Sequence, residues 1–363
     1  MSSLSIISTR GDLVESVHRV SVAVVGGARE VPGEKPREEP GEEPREVPGE
    51  EPRELPSQLP GDLIASAGDP EMVTYWRSAA KPFQAMALIE DGAADRWKLS
   101  ESEIALTCAS HSSEKIHLEV TDGFLKKIGC TEADLACGPH PPLGVEVAAQ
   151  VTKQGLTTTP RWSNCSGKHS GMLALARHHG WPTAGYNSAG HPVQDRILKA
   201  VAEWTDIPVA QIRLGVDGCT AANFAVPLSA MARAYARLGA SDHPAATRLR
   251  SAMLAHPELI AGTGRPDTDL MRAYPGQLIV KVGAEGIFCA SVVGKGVGIA
   301  LKVEDGDMRS ATIALVAVLD EILPKVGIVG ELASGRVPQH ATMKIRNTRG
   351  VVTGEVRAEG RTE

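Results

Sequence analysis

The chain has 363 residues, 42% of them hydrophobic and 23% charged, the composition of a folded enzyme rather than of a fibrous or wholly disordered protein. Its net charge of −6 is concentrated, because Arg29 to Pro60 hold ten glutamates against five Lys or Arg, a net of −5, which leaves −1 for the rest. That balance excludes a basic stripe for nucleic acid and an acidic field for a cationic partner. No apolar run reaches the roughly 18 residues of a membrane span, and no basic-then-apolar leader opens the sequence, so no membrane association and a cytoplasmic location are expected. The six cysteines, Cys108, Cys130, Cys137, Cys165, Cys219 and Cys289, have no framework spacing and read as reduced thiols.

The first element is VESVHRVSVAVVGG, β-branched and alternating, and the second is the short strand-like GDLIASAGDP. Between them runs an octad repeat, REVPGEKP, REEPGEEP, REVPGEEP, RELPSQLP. Proline at every fourth position forbids helix and sheet, and the glutamates keep the segment solvated. Residues 29–60 therefore read as a disordered insertion in the turn of a β-hairpin. A helical middle follows, with candidates at Lys81–Arg96, Ser113–Ile128, Gly171–His179, Val193–Trp204 and Phe224–Leu238, and a capping box at Ser100 and Glu103. Strand patterns return in LIVKVG, GIFCASVVG and GVGIALKVE, before a last helix over Asp307–Leu323. Strands at both ends with helices between predict an α+β fold, an antiparallel sheet from N- and C-terminal strands flanked by helices. Gly294-Lys295-Gly296 between two strands is a hairpin turn rather than a dinucleotide loop, since no helix follows.

Two constellations carry chemistry. Ser78 precedes Lys81 by three positions at a helix start, which stacks both side chains on one face. A neutral lysine there can take a serine proton and make a nucleophile without histidine. Serine β-lactamases and penicillin-binding proteins use such an S-x-x-K pair, then a second serine motif, then a Lys-x-Gly strand. The same order occurs here in Ser78 to Lys81, Ser110-His111-Ser112 and Lys281-Val282-Gly283. A lone S-x-x-K is weak, and a second one, Ser112 to Lys115, reads as a helix cap with a solvated lysine. The other constellation is Asn164-Cys165-Ser166-Gly167-Lys168-His169 with Asp217-Gly218-Cys219, two turn-like runs that each read as preceding a helix. Residue types alone read these cysteines as inert core thiols, because two do not complete a tetrahedral zinc site; His169, Asp217 and Lys168 could add ligands.

Taken together, RSAAKPFQA, ASHSSEKIH, NCSGKHSGML, DGCTAANFAVPL and VKVGAEGIF resemble the asparaginase II family, zinc-dependent enzymes of serine β-lactamase-like fold. The resemblance runs from about Arg10 to Arg357, interrupted by the repeat, and implies one catalytic domain of residues 1–28 and 61–363. It implies Ser78 with Lys81 and Ser110 with Lys281 as two catalytic tandems, and Cys165, Lys168 and Cys219 as ligands of one Zn2+. Asp217 would hydrogen-bond behind the metal, and Arg77, His111, Asp217 and Gly283 would meet the substrate. The expected reaction is hydrolysis of L-asparagine to aspartate and ammonia through an acyl-enzyme, by a homodimer; the motif leaves open which serine attacks. Ser163 and Thr220-Ala221-Ala222 depart from the family pattern beside the metal, which puts zinc affinity and KM in question before the reaction class. The alternatives are a glutaminase or β-lactam hydrolase on the same scaffold, or a zinc-binding module with an acidic recruiting arm.

Overall fold

The computed structural model describes residues 3–26 and 61–363. Its strands are β1 (Leu4–Arg10), β2 (Leu13–Gly26), β3 (Asp62–Ala67), β4 (Val73–Tyr75), β5 (Arg213–Val216), β6 (Ala222–Pro227), β7 (Leu278–Val282), β8 (Ile287–Val292), β9 (Val297–Val303), β10 (Met343–Arg346) and β11 (Val352–Gly360). The main sheet runs β10-β11-β1-β2-β9-β8-β7, with β3 beside β2. Long β2 makes this one sheet: Leu13 to Val20 pair with β1, Val22 to Gly26 pair with β3, and Val20 to Val25 pair with β9 on the other side. All of these pairings are antiparallel, so the N-terminal hairpin and the late meander share one core, and the α+β expectation holds.

Helices Leu228–Ala240 and Met308–Lys325 pack on β8 and β9, which have no exposed residue. Burial on both faces explains why those strands read as continuous apolar runs rather than alternating ones. The same effect misled the reading of Phe224–Leu238 as one helix. Residues Ala222–Pro227 form β6, buried almost throughout, in a small sheet β4-β6-β5, and the helix starts only at Leu228. Asp217-Gly218-Cys219 accordingly precedes a strand and not a helix. The predicted Lys81–Arg96 helix is broken after Glu90, where Gly92 adopts φ 75°, and resumes as the short helix Ala93–Arg96. The predicted Gly171 helix begins earlier, at Ser166.

Local signals read from side-chain chemistry fare better. Ser100 and Glu103 form the expected capping box, with Glu103 N–H on Ser100 Oγ at 3.3 Å and Ser100 N–H on Glu103 Oε2 at 2.7 Å. Gly294 and Gly296, at φ 72° and 60°, turn the chain from β8 into β9. Ser112, however, does not cap the next helix: Glu114 is its N-cap, and Ser112 is fully buried. Gly26 faces Asp62 across the β2–β3 pair, so the octad repeat joins two adjacent antiparallel strands; the insertion itself, residues 29–60, lies outside the described residues. Among the described residues no helix is long and apolar enough to cross a membrane.

Candidate active site

The site begins at a tight turn, Arg77–Ala80, that leads into the helix Lys81–Glu90. Packing fixes this turn. Trp76 is fully buried and stacks on Phe83 at 4.7 Å, Tyr235 meets Phe83 edge-on at 5.3 Å, and the Tyr235 hydroxyl donates to Ala79 O at 2.8 Å. Backbone bonds from Trp76 N–H to Phe224 O and from Arg77 N–H to Asn223 Oδ1 tie it to β6. Arg77 takes a left-handed φ of 54°, a conformation costly for a residue with a side chain and held here by those anchors.

The two catalytic-candidate lysines converge on one hydroxyl. Lys81 Nζ donates to Ser110 Oγ at 3.0 Å and Lys281 Nζ donates to the same oxygen at 2.9 Å. Both lysines are completely buried, and Ser110 nearly so. Lys81 comes from the helix start, Ser110 from the extended run after the helix Glu101–Thr107, and Lys281 from the last-but-one position of β7. Ser110 N–H on Ile260 O and Ser112 N–H on Ala261 O hold that run in place. Burial pushes Lys281 down to about 7, Asp267 3.7 Å away opposes this, and the positive charge of Lys81 adds to it. Asp267 is itself wholly buried; its Oδ1 accepts Val282 N–H at 2.8 Å, and its Oδ2 has no hydrogen-bond partner among the described residues.

The expected division into a Ser78–Lys81 pair and a Ser110–Lys281 pair is thus not the hydrogen-bond pattern observed. Ser78 is half-buried, and its hydroxyl bonds to no described residue. Ser78 and Ser110 do share one cavity, of about 390 Å³, together with Arg77, Asp217 and Gly283. Arg77 Nε donates to Asp217 Oδ1 at 2.9 Å. Gly283 N–H is committed to Ile287 O, and a Cβ there would meet Ile287 Cβ at 2.9 Å and Trp76 O at 3.0 Å, so only glycine fits where the strand end passes the turn. His111 departs from expectation. It is fully buried, outside the cavity lining, with Nε2 on Ser166 Oγ at 2.9 Å and Nδ1 accepting Ser113 N–H, so both ring nitrogens are spent on holding the fold. Sequence reasoning missed Asp267, beside Lys281, and Arg265, on the cavity wall; the run RPDTD carries no motif that would have distinguished them from surface charges.

The second constellation lies on the same cavity. Cys165 is the N-cap residue of the helix Ser166–His179 and lines the cavity with Asp217 and Cys219, while Lys168, in the first turn of that helix, is buried behind them. Lys168 Nζ donates to Cys219 Sγ at 2.9 Å. A hydrogen bond from Cys165 and the Lys168 charge hold Cys219 far below the usual thiol range, while the Cys165 thiol is driven up by that same bond and by burial. Burial works against charge on Lys168, but the Cys219 and Cys165 sulfurs and Asp217 outweigh it and keep the ammonium. Gly167 within this run is required by packing: a Cβ there would lie 2.2 Å from Leu106 O. Among the described residues no group of three or more His, Cys, Asp or Glu could hold a metal, so any metal here depends on the lysine as a donor.

A sequence model of the family described as L-asparaginase II matches residues 58–358. The chain belongs to the L-asparaginase II family. No curated protein matches the chain. Among solved structures, this L-asparaginase II member is similar to Mglu in its native form in 4.3 M NaCl, at 14% identity and TM-score 0.41, over 86% of this chain and 62% of that one. The chain thus spans 62% of the length of Mglu. It is also similar to a protein described as "putative beta-lactamase from Bacteroides dorei DSM 17855", at 13% identity and TM-score 0.37, over 80% of this chain and 88% of that one.

Proposed function

We propose that the protein is an L-asparaginase that hydrolyses L-asparagine to aspartate and ammonia. The observation that carries this reading is the single hydroxyl of Ser110 held between the amines of Lys81 and Lys281 at the wall of the cavity. A lysine brought to about 7 is partly free amine at neutral pH and can accept a proton from Ser110. Ser78 would be the nucleophile, because its hydroxyl is accessible and uncommitted while that of Ser110 is buried. Ser110 would take the proton from Ser78 and return it to the departing ammonia, with water later cleaving the acyl-enzyme by the reverse relay.

Cys165, Lys168 and Cys219 would hold one Zn2+. The donor set suits zinc: two sulfurs and an amine, with Lys168 Nζ already 2.9 Å from Cys219 Sγ, provided that Lys168 gives up its proton. Bound zinc would supply fixed positive charge beside the substrate. The test is ammonia release from L-asparagine and L-glutamine measured side by side on purified protein of known metal content. Acid-quenched samples would be searched by mass spectrometry for an aspartyl adduct on the Ser78 peptide. Turnover of glutamine in preference would make the protein a glutaminase, and no release from either amide would remove the proposal.

A further inference from the structure

The cavity contains two arginines with opposite commitments. Arg77 is neutralised: its Nε lies 2.9 Å from Asp217 Oδ1 and its Nη1 3.9 Å from Glu285 Oε1. Arg265 lines the same cavity, yet among the described residues no carboxylate lies within ion-pair distance of it, and its side chain makes one hydrogen bond, Nη1 to Ser112 Oγ at 3.3 Å.

The backbone that carries Arg265 is held tightly all the same. Thr263 N–H donates to Glu114 Oε1 at 2.6 Å, Gly262 N–H to Thr268 Oγ1 at 3.1 Å, and Arg265 N–H to Gly262 O at 3.3 Å. Gly262 sits at φ 121°, and a Cβ there would meet Glu114 Oε1 at 2.6 Å, so the bend is built around glycine. Two residues further on, Asp267 grips Val282 N–H beside Lys281. A half-buried guanidinium fixed at its base and unpaired at its tip is an arrangement that an incoming anion completes. The field of that unpaired charge already depresses the protonation of Lys281 and His111, among larger effects.

We propose that Arg265 binds the α-carboxylate of the substrate, and so restricts the enzyme to free amino-acid amides. The proposal rests on the asparaginase reading for the identity of the substrate, but the anion subsite stands on its own geometry. The planar fork of arginine accepts a carboxylate through two parallel bonds, which fixes the direction of the rest of the molecule as well as its position. An amide whose carbon skeleton lacks the α-carboxylate would reach the serines with no such register.

The test compares wild type, Arg265→Gln and Arg265→Lys, with thermal melts to establish that each variant is folded. Calorimetry with L-aspartate reads the subsite without requiring turnover. Ammonia release from L-asparagine and from 3-aminopropanamide, which is asparagine without its α-carboxylate, reads its use in catalysis. Wild type should bind aspartate and prefer asparagine strongly. Arg265→Gln should weaken aspartate binding by about 10- to 100-fold, as expected for loss of a charged hydrogen bond. Measured above the Lys281 limb, where losing the Arg265 charge no longer changes the fraction of free amine, it should raise KM for asparagine far more than it changes kcat, and should lower kcat/KM for 3-aminopropanamide much less than for asparagine; Arg265→Lys should recover part of the loss. Equal aspartate affinity in wild type and Arg265→Gln, or no aspartate binding to wild type, overturns the proposal. Arg265-dependent aspartate binding without ammonia release from asparagine leaves the subsite standing and removes the asparaginase reading.

Discussion

At the scale of single residues, the cluster around Ser110 determines what can be tested. Ser78→Ala and Ser110→Ala should each lower kcat by orders of magnitude while thermal stability changes little, since groups that act as one relay fail together. Ser112→Ala, whose hydroxyl contacts Arg265 and neither lysine, should keep most of its kcat. Steady-state kinetics on the three variants decide this; a dead Ser112→Ala beside a normal Ser78→Ala would put the wrong serine in the mechanism. Lys281 gives a pH signature. Its free amine forms as pH rises through about 7, so kcat/KM should climb through a limb there. The Asp267 carboxylate favours the ammonium form, so Asp267→Asn should move that limb to lower pH; a limb that stays put would mean that another group sets it. Stability follows the same sign. Between about 7 and the ordinary value of 10.5 the unfolded chain holds a proton on Lys281 that the folded chain has lost, so this residue's unfavourable contribution shrinks as pH rises.

At the scale of elements, two turns and one helix start make the sulfur site, and the packing that holds them predicts which cysteines matter. Cys165→Ser and Cys219→Ser should lose bound metal as read by elemental analysis. Cys137→Ser should retain it even though Cys137 lines the same cavity, because its thiol donates to Pro160 O at 3.5 Å. Loss of metal in all three would mean that the cavity wall as a whole, rather than a Cys–Lys–Cys set, holds the ion. The sequence signals that succeeded at this scale are those satisfied within one turn. The Ser100 capping box is an example, and Ser100→Ala should cost about 1 kcal/mol in chemical denaturation, with no change in activity. Signals failed where burial removes periodicity. Ala222–Pro227 is buried on both faces and mostly apolar, and nothing local separates a buried strand from a buried helix turn.

At the scale of the whole molecule, the octad repeat interrupts a hairpin whose strands pair from Val22–Ala67 to Gly26–Asp62, with one register shift between Val24 and Val25. Replacing residues 29–60 with a short glycine-containing turn should leave kcat/KM within a few-fold and the melting temperature no lower than that of the parent, because the entropic cost of closing a connection grows only slowly with its length and falls when it is shortened. A collapse of activity with the fold intact would mean that the repeat reaches the cavity. The sequence by itself determined the strands at the two ends, the order of the serine and lysine motifs, and the family. Those depend on residue types and on spacings that the chain carries in one dimension. Only the tertiary structure decided that both lysines share Ser110, that His111 faces inward, and that Arg77 is paired while Arg265 is not. Such facts depend on groups that lie far apart in sequence, Lys81 and Lys281 or Asp267 and Val282, and their charges take on meaning only when burial removes water from between them.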